Sequence, residues 1–124
     1  MATTPGSLLL VVEDDGLIRL DLVDTLEDLG FRVVEASNAD DALKLIETTA
    51  GIAAVLTDID MPGSMDGVGL ANLVHDRWPP LKLVVISGRY NPTVGVLPPG
   101  ARFLTKPISD VMIGTTLKEI GVAS

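Results

Sequence analysis

The chain contains no cysteine and a single histidine, and it sets nine basic residues against 17 acidic ones. Each shortage removes a class of function. Without cysteine there is no disulfide and no thiolate zinc site. The Lys and Arg residues are scattered, and a formal net charge of −8 opposes a direct grip on a DNA or RNA backbone or on an anionic membrane surface. A bilayer span needs roughly 18 consecutive apolar residues, and no run approaches that. The opening MATTPGS has neither the basic region nor the apolar core of a secretory signal. These absences point to a cytoplasmic protein with no nucleic-acid or membrane contact of its own.

What is present suits one compact core. The chain has 124 residues, of which 47% are hydrophobic, enough for a single domain over 1–124, with 1–6 expected as a disordered tail. Short apolar runs alternate with helical periodicity. LLLVVEDD (8–15), FRVVEA (31–36), IAAVLTD (52–58), LKLVVIS (81–87) and ARFLTK (101–106) read as strands. Between them, 16–30 places Ile18, Leu22, Leu26 and Leu29 on one helical face, read as core, with Gly30 as a stop. Residues 38–47 place Ala39, Ala42, Leu43 and Ile46 at helical spacing behind an Asn38 cap. Residues 66–78 form a third helix capped by Asp66 and ended by Pro79-Pro80, and 109–122 a last one with Ile113, Leu117 and Ile120 in register. Strands alternating with helices predict a parallel sheet covered on both faces.

One gap breaks the alternation. A helix is due between Ser87 and Lys106, yet the segment holds Pro92, Gly95, Pro98, Pro99 and Gly100. Interior Pro costs about 3 kcal/mol in a helix and Gly about 1. The fourth helix is therefore expected to be shortened to a turn or replaced by a loop.

The chemistry-bearing residues gather at strand ends. In an open parallel sheet the useful crevice lies beyond the C-terminal ends of the strands. The first strand ends at Glu13-Asp14 and the third at Asp58. Two carboxylates about 4 Å apart repel by roughly 4 kcal/mol at an effective dielectric of 20. Such a cluster needs protons or a cation, and oxygen-only ligands with room for water suit Mg²⁺. The fourth strand ends in Ser87, a hydroxyl donor, and the fifth in Lys106, an ammonium. A nucleophile, a metal site, a hydroxyl and an ammonium together fit phosphoryl transfer to a carboxylate.

At this point the chain resembles the receiver domain of bacterial two-component response regulators over nearly its whole length. The matching pieces are VVEDD, LTDIDMPG, VVISG and FLTKP, in that order. The resemblance implies a flavodoxin-like three-layer sandwich with strand order 2-1-3-4-5. It implies Asp58 as phosphoacceptor, served by a histidine kinase or a phosphotransfer protein. Glu13, Asp14, Asp58 and the main-chain carbonyl of Asp60 would hold Mg²⁺, with Mn²⁺ able to substitute, Asp14 binding directly and Glu13 through water. Ser87 and Phe103 match the switch pair, Lys106 the active-site lysine, and Lys106-Pro107 a peptide bond that is usually cis. Such a domain is a signalling module, not an enzyme, and assists only its own phosphorylation and dephosphorylation. Its downstream protein partner stays unnamed.

Asp15 reads as a first-turn helix acid. His75, the single histidine, lies mid-helix beside the apolar face with no companion motif and reads as a packed residue, as does Trp78. Three features depart from the family pattern: Glu13 in place of the more usual Asp, a one-residue insertion at Ser64, and the missing fourth helix. Asp60 and Arg89 are expected to pair across the pocket mouth. The chain ends just after its last helix, which suggests a stand-alone receiver; a receiver cut from a longer regulator or hybrid kinase is the alternative. A haloacid-dehalogenase-type phosphatase, with Asp58 as nucleophile and Asp60 as general acid, fits less well, because there the second acidic pair follows the nucleophile.

Overall fold

Five apolar runs form five parallel strands: β1 (Leu8–Val12), β2 (Arg32–Ala36), β3 (Ile52–Asp58), β4 (Lys82–Ser87) and β5 (Arg102–Thr105). The computed structural model describes residues 6–61, 65–88 and 97–124. The strands lie in the order β2-β1-β3-β4-β5, as expected. Among the described residues the connections carry α1 (Gly16–Asp28), α2 (Ala39–Thr48) and α3 (Gly67–Arg77), and α4 (Asp110–Glu119) follows β5.

Alternation along each strand divides the core in two. Leu8, Leu10, Val12, Val55, Leu83 and Val85 face α2 and α3, where Ala42, Ile46, Leu70 and Val74 close over them. Leu9, Val11, Leu56, Val84 and Ile86 face α1 and α4, where Leu26, Ile113 and Leu117 close the other side. A sheet buried on both faces is the reason its strands read as unbroken apolar runs.

The helix starts are set locally. Asn38 accepts from Asp41 N (2.8 Å) and Asp66 from Gly69 N (2.8 Å), both in the capping positions read from the sequence. Ser109 accepts from Met112 N at 3.1 Å. Asp15 caps α1 with bonds from Leu17 N (2.9 Å) and Ile18 N (3.1 Å). Gly30, after α1, sits at φ +98°, the left-handed stop that only glycine adopts cheaply. Ala101 N donates to Pro98 O, and Gly100 at φ +84° completes the turn into β5.

One expectation is corrected. The α1 stripe was read as core, but only Leu26 of the four is buried, Leu22 and Leu29 are half-buried, and Ile18 is 41% exposed. Periodicity marks a side of a helix, and Ile18 on that side borders a cavity. Of the segment expected as a tail, Gly6 offers its carbonyl to Arg32 Nε at 2.8 Å, and residues 1–5 lie outside the described residues. The expected loss of the fourth helix falls on 89–96, also outside the described residues, as do Arg89 and Ser64.

Candidate functional site

The C-terminal ends of β1, β3, β4 and β5 bring four sequence-predicted residues to one edge. Glu13 follows β1 directly and keeps to the ladder, its N–H donating to Ala36 O at 3.1 Å. Asp58 closes β3, and the next N–H, of Ile59, donates to Ile86 O at 2.9 Å. Ser87 closes β4, and its carbonyl accepts from Lys106 N at 2.8 Å. Lys106 therefore stands one residue beyond β5, next to a cis bond to Pro107. Ladder bonds thus anchor the backbone under every one of these side chains.

Burial sharpens the chemistry. Glu13 is 3% exposed, Asp58 8% and Ser87 1%. The Lys106 ammonium donates to Glu13 Oε1 at 3.0 Å and to Asp58 Oδ2 at 3.1 Å. The other oxygen of Asp58, Oδ1, accepts from Asp60 N at 3.1 Å, so Asp60 lends its main chain while its side chain is exposed. Burial pushes the Glu13 carboxyl up from its ordinary value of 4.5 to about 7; the Asp58 carboxylate adds to the rise and Lys106 opposes it. Burial works against the charged form of Lys106, but its two carboxylate partners outweigh that and raise its pKa.

One cation does not satisfy this acid cluster. Glu13, Asp14 and Asp58 offer oxygens that all lie within 4.8 Å of one another. Lys106 reaches Oε1 of Glu13 but leaves its Oε2 buried with no hydrogen-bond partner among the described residues. An orphaned buried carboxylate oxygen is costly. With an exposed Asp14 alongside, the set fits a hard divalent cation that keeps part of its water.

Sequence reasoning missed two further residues at this edge. Gly67, the first residue of α3, is pressed against the end of β3. Its N–H donates to Ile59 O at 3.0 Å, and a Cβ there would collide with the Asp58 carbonyl oxygen and lie 2.7 Å from its carbon and 2.8 Å from Ile59 Cα. Arg19, on the first turns of α1, places Nη1 2.7 Å from the Glu13 carbonyl oxygen and Nε 3.1 Å from Glu35 Oε1. No local pattern announces either contact. Phe103 is half-buried and packs against the core on the α2/α3 face. His75 is half-buried on α3, away from the cluster. A cavity of about 280 Å³ adjoins the acids, walled by Ile18, Leu22, Pro107 and Ile108.

Comparison with known proteins places this geometry. Residues 9–118 match the family model of the response regulator receiver domain. The chain is 34% identical over 119 residues to the sensor kinase CckA of Brucella abortus, covering 93% of this chain and 12% of that protein. It is 35% identical over 103 residues to the response regulator receiver protein CpdR of the same organism, covering 80% of this chain and 83% of CpdR. Among solved structures, a response regulator receiver protein from Sinorhizobium medicae superposes with a TM-score of 0.85 at 27% identity, covering 93% of this chain and 94% of that one. The chain spans between about an eighth and a quarter of the length of the curated relatives that match first.

Proposed function

The chain belongs to the response regulator receiver domain family, and we propose that Asp58 is its phosphoacceptor, charged by a histidine kinase or a phosphotransfer protein. The observation that carries this reading is the Lys106 ammonium shared between Glu13 and Asp58 at 3.0 and 3.1 Å. It places a buried carboxylate beside a fixed cation on the edge where ligands of such sheets bind.

Asp58 attacks the phosphorus of a phosphohistidine; an O–P bond forms, the P–N bond breaks, and the histidine nitrogen leaves with its electron pair. Lys106 neutralises charge on the transferring group, and the Ser87 hydroxyl donates to one of its oxygens. Glu13, Asp14, Asp58 and the main-chain carbonyl of Asp60 would hold Mg²⁺, or Mn²⁺ in its place, and the ion would supply further positive charge against the phosphoryl oxygens. The acyl phosphate adds charge and acceptor oxygens. Ser87 and Lys106 turn toward it, Phe103 follows, and the face they shape is read by a protein partner that binds the two states unequally. The domain is a switch that catalyses nothing but its own phosphorylation and dephosphorylation.

A donor protein must reach this edge. Leu17 and Ile18 on the first turn of α1, and Val111 and Met112 on the first turn of α4, are exposed apolar side chains. Both helices leave the same sheet edge as the acids and pack on the same face, giving the donor a surface beside Asp58. We place the exchange in the cytoplasm, where phosphoryl donors are made; among the described residues no helix is long and apolar enough to cross a membrane. Relatives of both kinds match, since the chain covers 83% of CpdR and 12% of the sensor kinase CckA, and the genomic reading frame separates a stand-alone receiver from a segment of a longer protein.

The test is intact-protein mass after incubation with acetyl phosphate and Mg²⁺, for wild type and Asp58→Asn. One added phosphoryl group, dependent on Mg²⁺ and absent from the variant, is expected. Steady release of phosphate from ordinary esters, dependent on the Asp60 side chain, would instead favour a phosphatase.

A further inference from the structure

We propose that Arg19 is a positioning residue for the divalent-cation site: it locks the peptide between Glu13 and Asp14, and the site is built only while that lock holds. The inference rests on the reading of Glu13, Asp14 and Asp58 as cation ligands. It adds a residue that touches none of their carboxylates.

The geometry is specific. Glu13 turns its side chain inward and is buried, whereas Asp14, the next residue, is exposed. One planar peptide therefore separates an inward ligand from an outward one, and rotation about the backbone dihedrals that flank it would shift the two side chains relative to each other. The backbone of Glu13 is held from two sides. Its N–H donates to Ala36 O at the end of β2 (3.1 Å), and its carbonyl accepts from Arg19 Nη1 (2.7 Å). Arg19 is itself oriented, because its Nε lies 3.1 Å from Glu35 Oε1. Glu35 is paired with Val11 across the β1–β2 ladder. The guanidinium thus spans from β2 to the residue just past β1, a reach for which its planar fork is suited and an ammonium is not.

Stability alone does not account for this arrangement. The Arg19 side chain is 24% exposed and that of Glu35 48%, and exposed ion pairs contribute little. The short bond goes to a main-chain carbonyl, at the point where a shift would move two ligands. Groups that orient ligands from outside a metal site typically change metal affinity by about 10- to 100-fold when removed.

Charge gives the test its sign. Arg19 is a cation close to the acid cluster, so if it acted only through its charge, removing it would tighten Mg²⁺ binding. If it positions the acids, removing it weakens binding. Mg²⁺ is titrated by calorimetry into the metal-free full chain of wild type, Arg19→Ala and Arg19→Lys, with thermal midpoints measured alongside. Expected are a Kd about tenfold higher in Arg19→Ala, a rise of several-fold in Arg19→Lys despite its kept charge, and midpoints within a few degrees of wild type. Glu35→Gln should raise the Kd in the wild-type background and have no further effect once Arg19 is alanine. A Kd that is unchanged or lower in both Arg19 variants would overturn the proposal. Absence of Mg²⁺ binding to wild type would overturn the cation-site reading itself, so the two failures are told apart by the first titration.

Discussion

Lys106 lies 3.1 Å from Asp58, and the two residues come from strand ends 48 positions apart in the chain. The ammonium does double duty. It balances two buried acids in the metal-free protein, and it is the cation nearest the oxygen read as the nucleophile. Lys106→Met should therefore separate binding from chemistry. With the internal cation gone, the acid cluster should hold Mg²⁺ more tightly. Phosphoryl uptake should fall by about 10²-fold, the usual cost of removing one preorganised donor. Calorimetry with Mg²⁺ and mass spectrometry with acetyl phosphate measure the two halves. Loss of both together would mean that Lys106 only supports the fold of the site.

Glu13 makes the metal-free protein sensitive to pH in a stated direction. Its carboxyl moves from 4.5 up to about 7, chiefly through burial. Between those values the native state keeps a proton that the unfolded chain has lost. Its stabilising contribution is complete below 4.5 and is lost as pH rises through about 7. The loss is of order 3 kcal/mol, from about 1.4 kcal/mol per pKa unit. Urea unfolding at pH 5 and pH 8, without divalent cations, should show wild type losing more stability across that interval than Glu13→Gln, which stays neutral. Equal losses in the two proteins would remove Glu13 as the source.

The strand ends and the caps were legible because their signals are local. An apolar run that stops on Asp58, and an Asn38 or Asp66 just before a periodic segment, carry their structural meaning within a few residues. The strand order came instead from the resemblance to receiver domains, because right-handed crossovers leave few topologies without choosing among them. The exposure of Ile18 was not legible, because periodicity does not say whether anything packs opposite; here a cavity walled by Pro107 and Ile108 lies beside it. The elevated pKa of Glu13 depends on burial in the folded chain and on the Asp58 carboxylate brought beside it from another strand, and the role of Arg19 depends on a glutamate 16 positions on. Such contacts exist only in the folded chain.

Gly67 offers a sharp contrast with another glycine. At Gly67 a Cβ would meet the backbone of Asp58 and Ile59, which has nowhere to move. At Gly114, inside α4, the nearest atom to a Cβ is Leu29 Cδ1 at 3.6 Å, an ordinary contact. Gly67→Ala should destabilise by about 1–3 kcal/mol, the cost of overpacking, and should slow phosphorylation of Asp58, whose carbonyl it displaces. Gly114→Ala should stabilise by about 0.5–1 kcal/mol through helix propensity and leave phosphorylation alone. Denaturant midpoints and acetyl phosphate labelling test both substitutions. A Gly67→Ala protein as stable and as quickly labelled as wild type would show that α3 is not seated on the end of β3.

Asp14 and Asp15 are adjacent, both exposed, and have separate work. Asp15 accepts two backbone N–H bonds, from Leu17 and Ile18, and begins α1. Asp14 makes no such cap; its carboxylate joins Glu13 and Asp58 in the cluster. Asp15→Ala should cost about 1 kcal/mol of stability and leave Mg²⁺ affinity within a factor of two or so, because the lost group faces the helix and not the acids. Asp14→Asn should leave stability within about 0.5 kcal/mol, as an exposed substitution does. It should weaken Mg²⁺ binding by at least about tenfold, since a ligand is worth no less than the groups that orient one. Urea midpoints and Mg²⁺ calorimetry on the two variants give a two-by-two outcome. The reverse pattern, with the cation lost in Asp15→Ala and the stability lost in Asp14→Asn, would exchange their roles and move the cation site one residue along the loop. Loss of Mg²⁺ binding in both would mean that the cap and the site are one mechanical unit, with the first turn of α1 holding Asp14 in place.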